Sequence, residues 1–176
     1  CDWSSDVCSS DLGTTTCASL SDGSVRCWGA NANGQLGNGT TSSKATTYPA
    51  TVLAVGGAAG SKLAGVRAIA VGSSHACASF TDGTMACWGL DSNGQLGDGS
   101  TTQRTSPVKV TGLTGVGVIA TGASHTCASR TDGTLWCWGL NGSGQLGDGT
   151  TTGRLVPTAL SAGTPVTGAK IGRAHV

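Results

Sequence analysis

Six cysteines recur as pairs ten positions apart: Cys17 with Cys27, Cys77 with Cys87, and Cys127 with Cys137. Thiols at such a spacing can close a disulfide, share a zinc ion or stay reduced in a core. Zinc fits worst, because C-x-x-C spacing is absent and each pair would need two further ligands from elsewhere. If Thr131-Asp132-Gly133 forms a three-residue hairpin loop with Gly133 in the left-handed conformation, Arg130 faces Thr134 and Cys127 faces Cys137. The same count holds about Gly23 and Gly83. Opposed strand residues sit ~4.5 to 5.5 Å apart at Cα, inside the window a disulfide tolerates. Disulfides are therefore favoured over free buried thiols, each at the lower part of the usual ~2 to 4 kcal/mol because the closed loop is short. Oxidised pairs place the protein outside the cell or on its surface.

Other reactive residue types invite weaker readings. His75 and His125 stand two positions before Cys77 and Cys127, on the same strand face, yet the arrangement recurs and each Cys has a better partner than a His. A structural imidazole bonded to backbone is expected, and no catalytic residue is assigned. Asp91, Asn93 and Asp98 resemble a calcium loop, but Asn31, Asn33 and Asn38, or Asn141, Ser143 and Asp148, replace them in the other copies, and no bidentate Glu follows. The expectation is a Gly-rich turn held by Asn and Asp side chains on their own backbone, with no metal and no cofactor. GGAAGSK at 56–62 lacks the Gly-Lys-Ser/Thr order of a phosphate loop and is expected to project from the rim. Sequons at Asn38 and Asn141 are short enough to arise by accident.

The elements that must carry these residues are short strands. Of 176 residues 30 are Gly, 11% are charged and 4% aromatic, which disfavours long amphipathic helices and points to turn-rich β structure. A formal net charge of +1 leaves no footprint for nucleic acid, and no apolar run approaches the ~20 residues a membrane helix requires, so neither nucleic-acid binding nor membrane insertion is expected. One unit repeats three times: TCASLSDGSVRCWGANANGQLGNGTT from Thr16, ACASFTDGTMACWGLDSNGQLGDGST from Ala76, and TCASRTDGTLWCWGLNGSGQLGDGTT from Thr126. In the middle unit the pattern predicts strands at 66–71, 75–80, 84–88 and 108–110. Four strands in about fifty residues is the size of a propeller blade, and no such sheet can bury both faces alone. Trp28, Trp88 and Trp138, each followed by Gly, and Leu36, Leu96 and Leu146 are expected to fill the space between blades.

The pattern G-x-x-H-x-C-A-x-x-x-D-G-x-x-x-C-W-G-x-N-x-x-G-Q-L-G-D-G-T resembles the regulator of chromosome condensation repeat, in its cysteine-containing bacterial form. That resemblance implies an all-β, seven-bladed propeller, of which about three four-stranded blades and a truncated fourth are present. The rest of the ring is missing, leaving open edges. The absence of a unique constellation of titratable residues, the variation concentrated in connectors at 44–64, 102–105 and 152–155, and the rigid repeated frame point to a non-enzymatic scaffold for a protein partner of unknown identity. Guanine-nucleotide exchange on a small GTPase is the alternative, and inhibition of an extracellular enzyme a second. Arg104 and Arg154, after the QLGDG turns, are the expected partner contacts.

Both ends differ from the repeats. Residues 171–175 (IGRAH) are encoded by ATC GGA AGA GCA CAC, whose reverse complement encodes residues 7–11 (VCSSD), so both ends resemble translated sequencing adapter. The expected organisation is adapter-derived sequence at 1–12 and 171–176, blade units at 13–65, 66–115 and 116–163, and the start of a fourth unit at 164–170. Without the tails, basic residues fall from 10 to 9 and acidic ones from 9 to 6, a net charge of about +3.

Overall fold

A computed structural model of the protein describes residues 8–11 and 14–160. Twelve strands form three antiparallel four-stranded sheets, each with its strands in chain order. The first comprises β1 (Cys8–Asp11), β2 (Thr15–Ser19), β3 (Val25–Asn31) and β4 (Ser42–Thr51). The second comprises β5 (Val66–Val71), β6 (His75–Phe80), β7 (Met85–Gly89) and β8 (Arg104–Lys109). The third comprises β9 (Val116–Thr121), β10 (His125–Arg130), β11 (Leu135–Gly139) and β12 (Arg154–Ala159). The described residues contain no helix.

The central hairpin of each sheet is set by its turn. Phe80 N donates to Thr84 O, Gly83 N donates back to Phe80 O, and Gly83 has a φ of +78°, where a Cβ would be strained. Asp82 Oδ1 accepts both the backbone N–H and the hydroxyl of Thr84, and Asp22 and Asp132 repeat the device. Counting inward from the bonded Phe80–Thr84 pair, Cys77 and Cys87 fall on a non-hydrogen-bonded pair, where opposed Cα atoms come closest. All three predicted disulfides are present, with Cα separations of 4.1, 4.0 and 4.1 Å.

The fourth strand departs from the sequence expectation. It runs over Arg104–Lys109 rather than 108–110, with Pro107 inside it. β8 is the sheet's outer edge, where the missing N–H of a proline costs no ladder bond. The 56–61 insertion, expected to project, is instead tied back across this strand: Gly56 N donates to Pro107 O at 2.9 Å. The first sheet takes β1 from inside the segment that resembles adapter. Edge pairing uses backbone groups that every residue carries, so it does not bear on the origin of those codons. Residues 164–176, expected to start a fourth unit and end in adapter, lie outside the described residues.

Burial is between sheets rather than within them. One core joins Cys17, Val25, Cys27 and Leu36 of the first sheet region to Ile69, Val71, Ala76 and Trp88 of the second. The other joins Cys77, Met85, Cys87 and Leu96 to Val116, Ile119, Ala128 and Trp138. Strand alternation sends neighbouring residues to opposite faces, so Cys87 faces the following sheet while Trp88 faces the preceding one.

Candidate functional site

The most elaborate chemistry in the chain lies along these two seams. Trp88 Nε1 donates to the Gln35 carbonyl at 2.9 Å, and Trp138 Nε1 donates to the Gln95 carbonyl at 3.0 Å. Each indole thus plugs into the Gln-Leu-Gly turn of the preceding unit. The turn glycine makes room: a Cβ at Gly37 would lie 2.8 Å from Trp88 Nε1, and one at Gly97 would lie 2.6 Å from Trp138 Nε1. The Gly after each Trp is equally constrained, since a Cβ on Gly139 would meet the Ser124 carbonyl at 2.7 Å and its φ is +101°. Leu36, Leu96 and Leu146 are all buried in their turns. Trp28 is only part-buried.

A buried polar relay crosses the second seam. His75 Nε2 lies 3.0 Å from Thr126 Oγ1, and that hydroxyl donates to Gln95 O at 2.9 Å. The hydroxyl proton being spent there, Nε2–H must donate to it. His75 therefore bonds a side chain of the next unit, not the backbone expected from sequence. Burial pushes its pKa down to about 4, the nearby His125 adding a smaller push in the same direction. Its Nδ1 has no hydrogen-bond partner among the described residues, so the ring is a neutral strut. Gly72 accommodates it: a Cβ there would come within 2.5 Å of the His75 ring. At the first seam Thr15 takes the His position and Ala76 the Thr position, and Thr15 bonds the Ala30 carbonyl instead.

The turns that resembled calcium loops spend their oxygens locally. Asp91 Oδ1 accepts from Leu96 N at 2.9 Å, as the Asn31 and Asn141 amide oxygens accept from Leu36 and Leu146. Asn31 and Asn141 also donate to the carbonyls of Thr40 and Thr150, which a carboxylate cannot do. Asp91, fully buried in the same place, has its pKa raised to about 6, mainly by burial. Asp98 Oδ1 accepts from Ser100 N, and its Oδ2 receives Arg104.

Arg104 and Arg154, the expected partner contacts, are held by this second carboxylate oxygen. Arg104 Nη2 lies 2.7 Å from Asp98 Oδ2 and Arg154 Nη2 lies 2.6 Å from Asp148 Oδ2, with the Asp side chains 5% exposed and the Arg side chains 39% and 34% exposed. In the first unit Asn38 replaces the Asp, and Thr46 occupies the Arg register. The pair is thus kept or lost together, a signal legible in the sequence but missed there. The Thr126 end of the relay carried a similar signal, since Thr and His occur together across one seam and Ala and Thr across the other. Elsewhere a shallow groove of about 450 Å³ runs between Val55, Lys62 and Leu63 on one side and Phe80 and Asp82 on the other. Its titratable side chains are engaged, Lys62 with Asp22 and Asp82 with Thr84.

The regulator of chromosome condensation (RCC1) repeat matches residues 22–79, 82–129 and 132–176, and a second form of the same repeat matches 66–95 and 118–145. The chain belongs to the RCC1 repeat family. The family repeat runs from one hairpin turn to the next unit's second strand, so each copy straddles two sheets and the seam falls inside it. Among relatives, the ultraviolet-B receptor UVR8 of Arabidopsis thaliana is 36% identical over 90 residues, 51% of this chain and 19% of UVR8. Prp20p from Saccharomyces cerevisiae superposes with a TM-score of 0.75 at 21% identity, over 88% of this chain and 38% of its own. Human WBSCR16 gives 0.73 at 26% identity, over 90% and 40%. The fold is therefore that of RCC1-type β-propellers, and the chain spans well under half of each of these relatives.

Proposed function

We propose that the chain is part of a non-enzymatic propeller scaffold, secreted or cell-surface in a bacterium, whose loop end binds another protein. The observation that carries this is the pairing of a rigid frame with presented cations. Arg104 and Arg154 stand one unit apart at the end of the sheets opposite the hairpin turns, each anchored by a buried carboxylate and each about one-third exposed. Loops on a rigid scaffold are where binding resides, and a braced guanidinium loses little freedom on contact. Three clipped hairpins support an oxidising compartment. Relatives lend the class of partner: Prp20p is described with binding properties to Gsp1p and histones, and yeast RCC1 has been seen bound to Kap60.

A photo-crosslinker at Thr102 or Thr152, on the loop end, is to be compared with one at Thr81 or Thr131, on the hairpin end. Exposed to the surface and secreted fractions of the source cells, the loop-end probes should label one protein that the hairpin-end probes do not, with labelling lost in Arg104→Ala/Arg154→Ala. Equal labelling from both ends would contradict the proposal. Accelerated release of guanine nucleotide from a small GTPase on adding the reduced chain would favour exchange activity instead.

A further inference from the structure

One position at the loop end is wired differently in the middle unit. Asn31 Nδ2 donates to the Thr40 carbonyl at 3.1 Å, and Asn141 Nδ2 donates to the Thr150 and Thr152 carbonyls, both at 3.0 Å. Each amide thereby ties the connector that follows the Gln-Leu-Gly turn back to the end of its sheet. The connector hydroxyl keeps its own proton for a second bond: Thr40 Oγ1 donates to Asn38 at 2.8 Å, and Thr150 Oγ1 donates to Asp148 at 2.7 Å.

In the middle unit Asp91 stands in the amide's place, and the corresponding carbonyls are those of Ser100 and Thr102. No donor reaches either carbonyl among the described residues. An ionised carboxylate has only lone pairs to offer them, so acceptor faces acceptor. Ser100 has one hydroxyl proton to share between two carboxylates, Asp91 Oδ2 at 3.4 Å and Asp98. Asp91 is fully buried, so solvent does not relieve the conflict. A proton on Asp91 does, because it gives the side chain an O–H where its counterparts have an N–H. The charged groups that face it are Asp98 in its own turn, which favours that proton, and Arg104 at the start of β8, which opposes it.

We infer that the loop end of the middle unit is acid-gated. Protonated, Asp91 does the work of the amide: it donates to the Ser100 or Thr102 carbonyl, returns the Ser100 hydroxyl to Asp98, and holds the connector that leads into Arg104. Ionised, it releases that connector, while the equivalent connectors of the first and third units stay tied at any pH. The consequence for a partner, firmer contact at the Arg104 loop in acid, rests on the loop-end binding proposed above.

Carboxyl and amide NMR of the oxidised chain between pH 5 and 7.5 tests the gate, a window in which His75, titrating at about 4, stays neutral. The Asp91 carboxyl carbon should titrate near pH 6. Across the same midpoint the order parameters of residues 100–103 should fall from ~0.85 to ~0.6 or below, while those of 150–153, tied by Asn141, stay unchanged. Asp91→Asn should hold residues 100–103 at the acid-form values throughout. In the same spectra the signals of 150–153 report that each protein is folded. Order at 100–103 that does not change with pH in wild type, or a change that persists in Asp91→Asn, would overturn the inference. The readout involves no partner, so its failure leaves the loop-end binding standing, and a loop end that labels no protein leaves the gate standing.

Discussion

Asp91 is where residue chemistry and fold conflict most. Its counterparts are Asn31 and Asn141, whose amides donate to the carbonyls of Thr40 and Thr150 while accepting from the turn, a double role an ionised Asp cannot fill. Its folded pKa, raised to about 6 from the ordinary 3.8, means that ionisation opposes folding. Its contribution is fully favourable below the unfolded pKa and is lost as pH rises from about 4 to about 6. Asp91→Asn should therefore be more stable than wild type by about 1 to 2 kcal/mol at pH 7, with the gap closing by about pH 4. Urea midpoints of the two proteins across that range check it. His75, titrating in the opposite sense, is common to both and cancels in the difference. A gap unchanged with pH would contradict the account.

Among elements, the three clipped hairpins are chemically alike but differently covered. Each disulfide lies on the face turned towards the following sheet, so Cys17, Cys27, Cys77 and Cys87 are at 0% exposure, whereas Cys127 is part-buried and Cys137 is 5% exposed. Under graded reductant and alkylation, read by peptide mass, the Cys127–Cys137 pair should open first, well before the other two. Simultaneous opening of all three would contradict the placement. Much of this hairpin was legible beforehand, because the Asp-Gly loop fixes the register and the register fixes the cysteine partners. The fourth strand was less so: Pro107 in a central strand would break a ladder, and only its place on an outer edge permits strand to run from Arg104. The role of His75 was not legible from a single unit, since its partner lies 51 positions away in the next one, and those of Arg104 and Arg154, whose Asp partners lie six positions away, stand out only against the first unit. Comparing units within the chain would have exposed them, as Asp with Arg and His with Thr change in step.

Across the whole molecule, stability resides in seams between sheets, as the two core clusters show, and a repeat that straddles two sheets makes each seam continuous in sequence. Trp28 and Trp138 provide the sharpest test, being the same residue at the same place in equivalent hairpins, one only part-buried and one plugged into the Gln95 turn. Equilibrium urea unfolding of Trp28→Ala and Trp138→Ala, disulfides intact, compares them directly. The seam account predicts a loss of ~3 to 5 kcal/mol for Trp138→Ala and below ~1 kcal/mol for Trp28→Ala. Equal losses at the two positions would mean that each sheet is stabilised from within, and would contradict it.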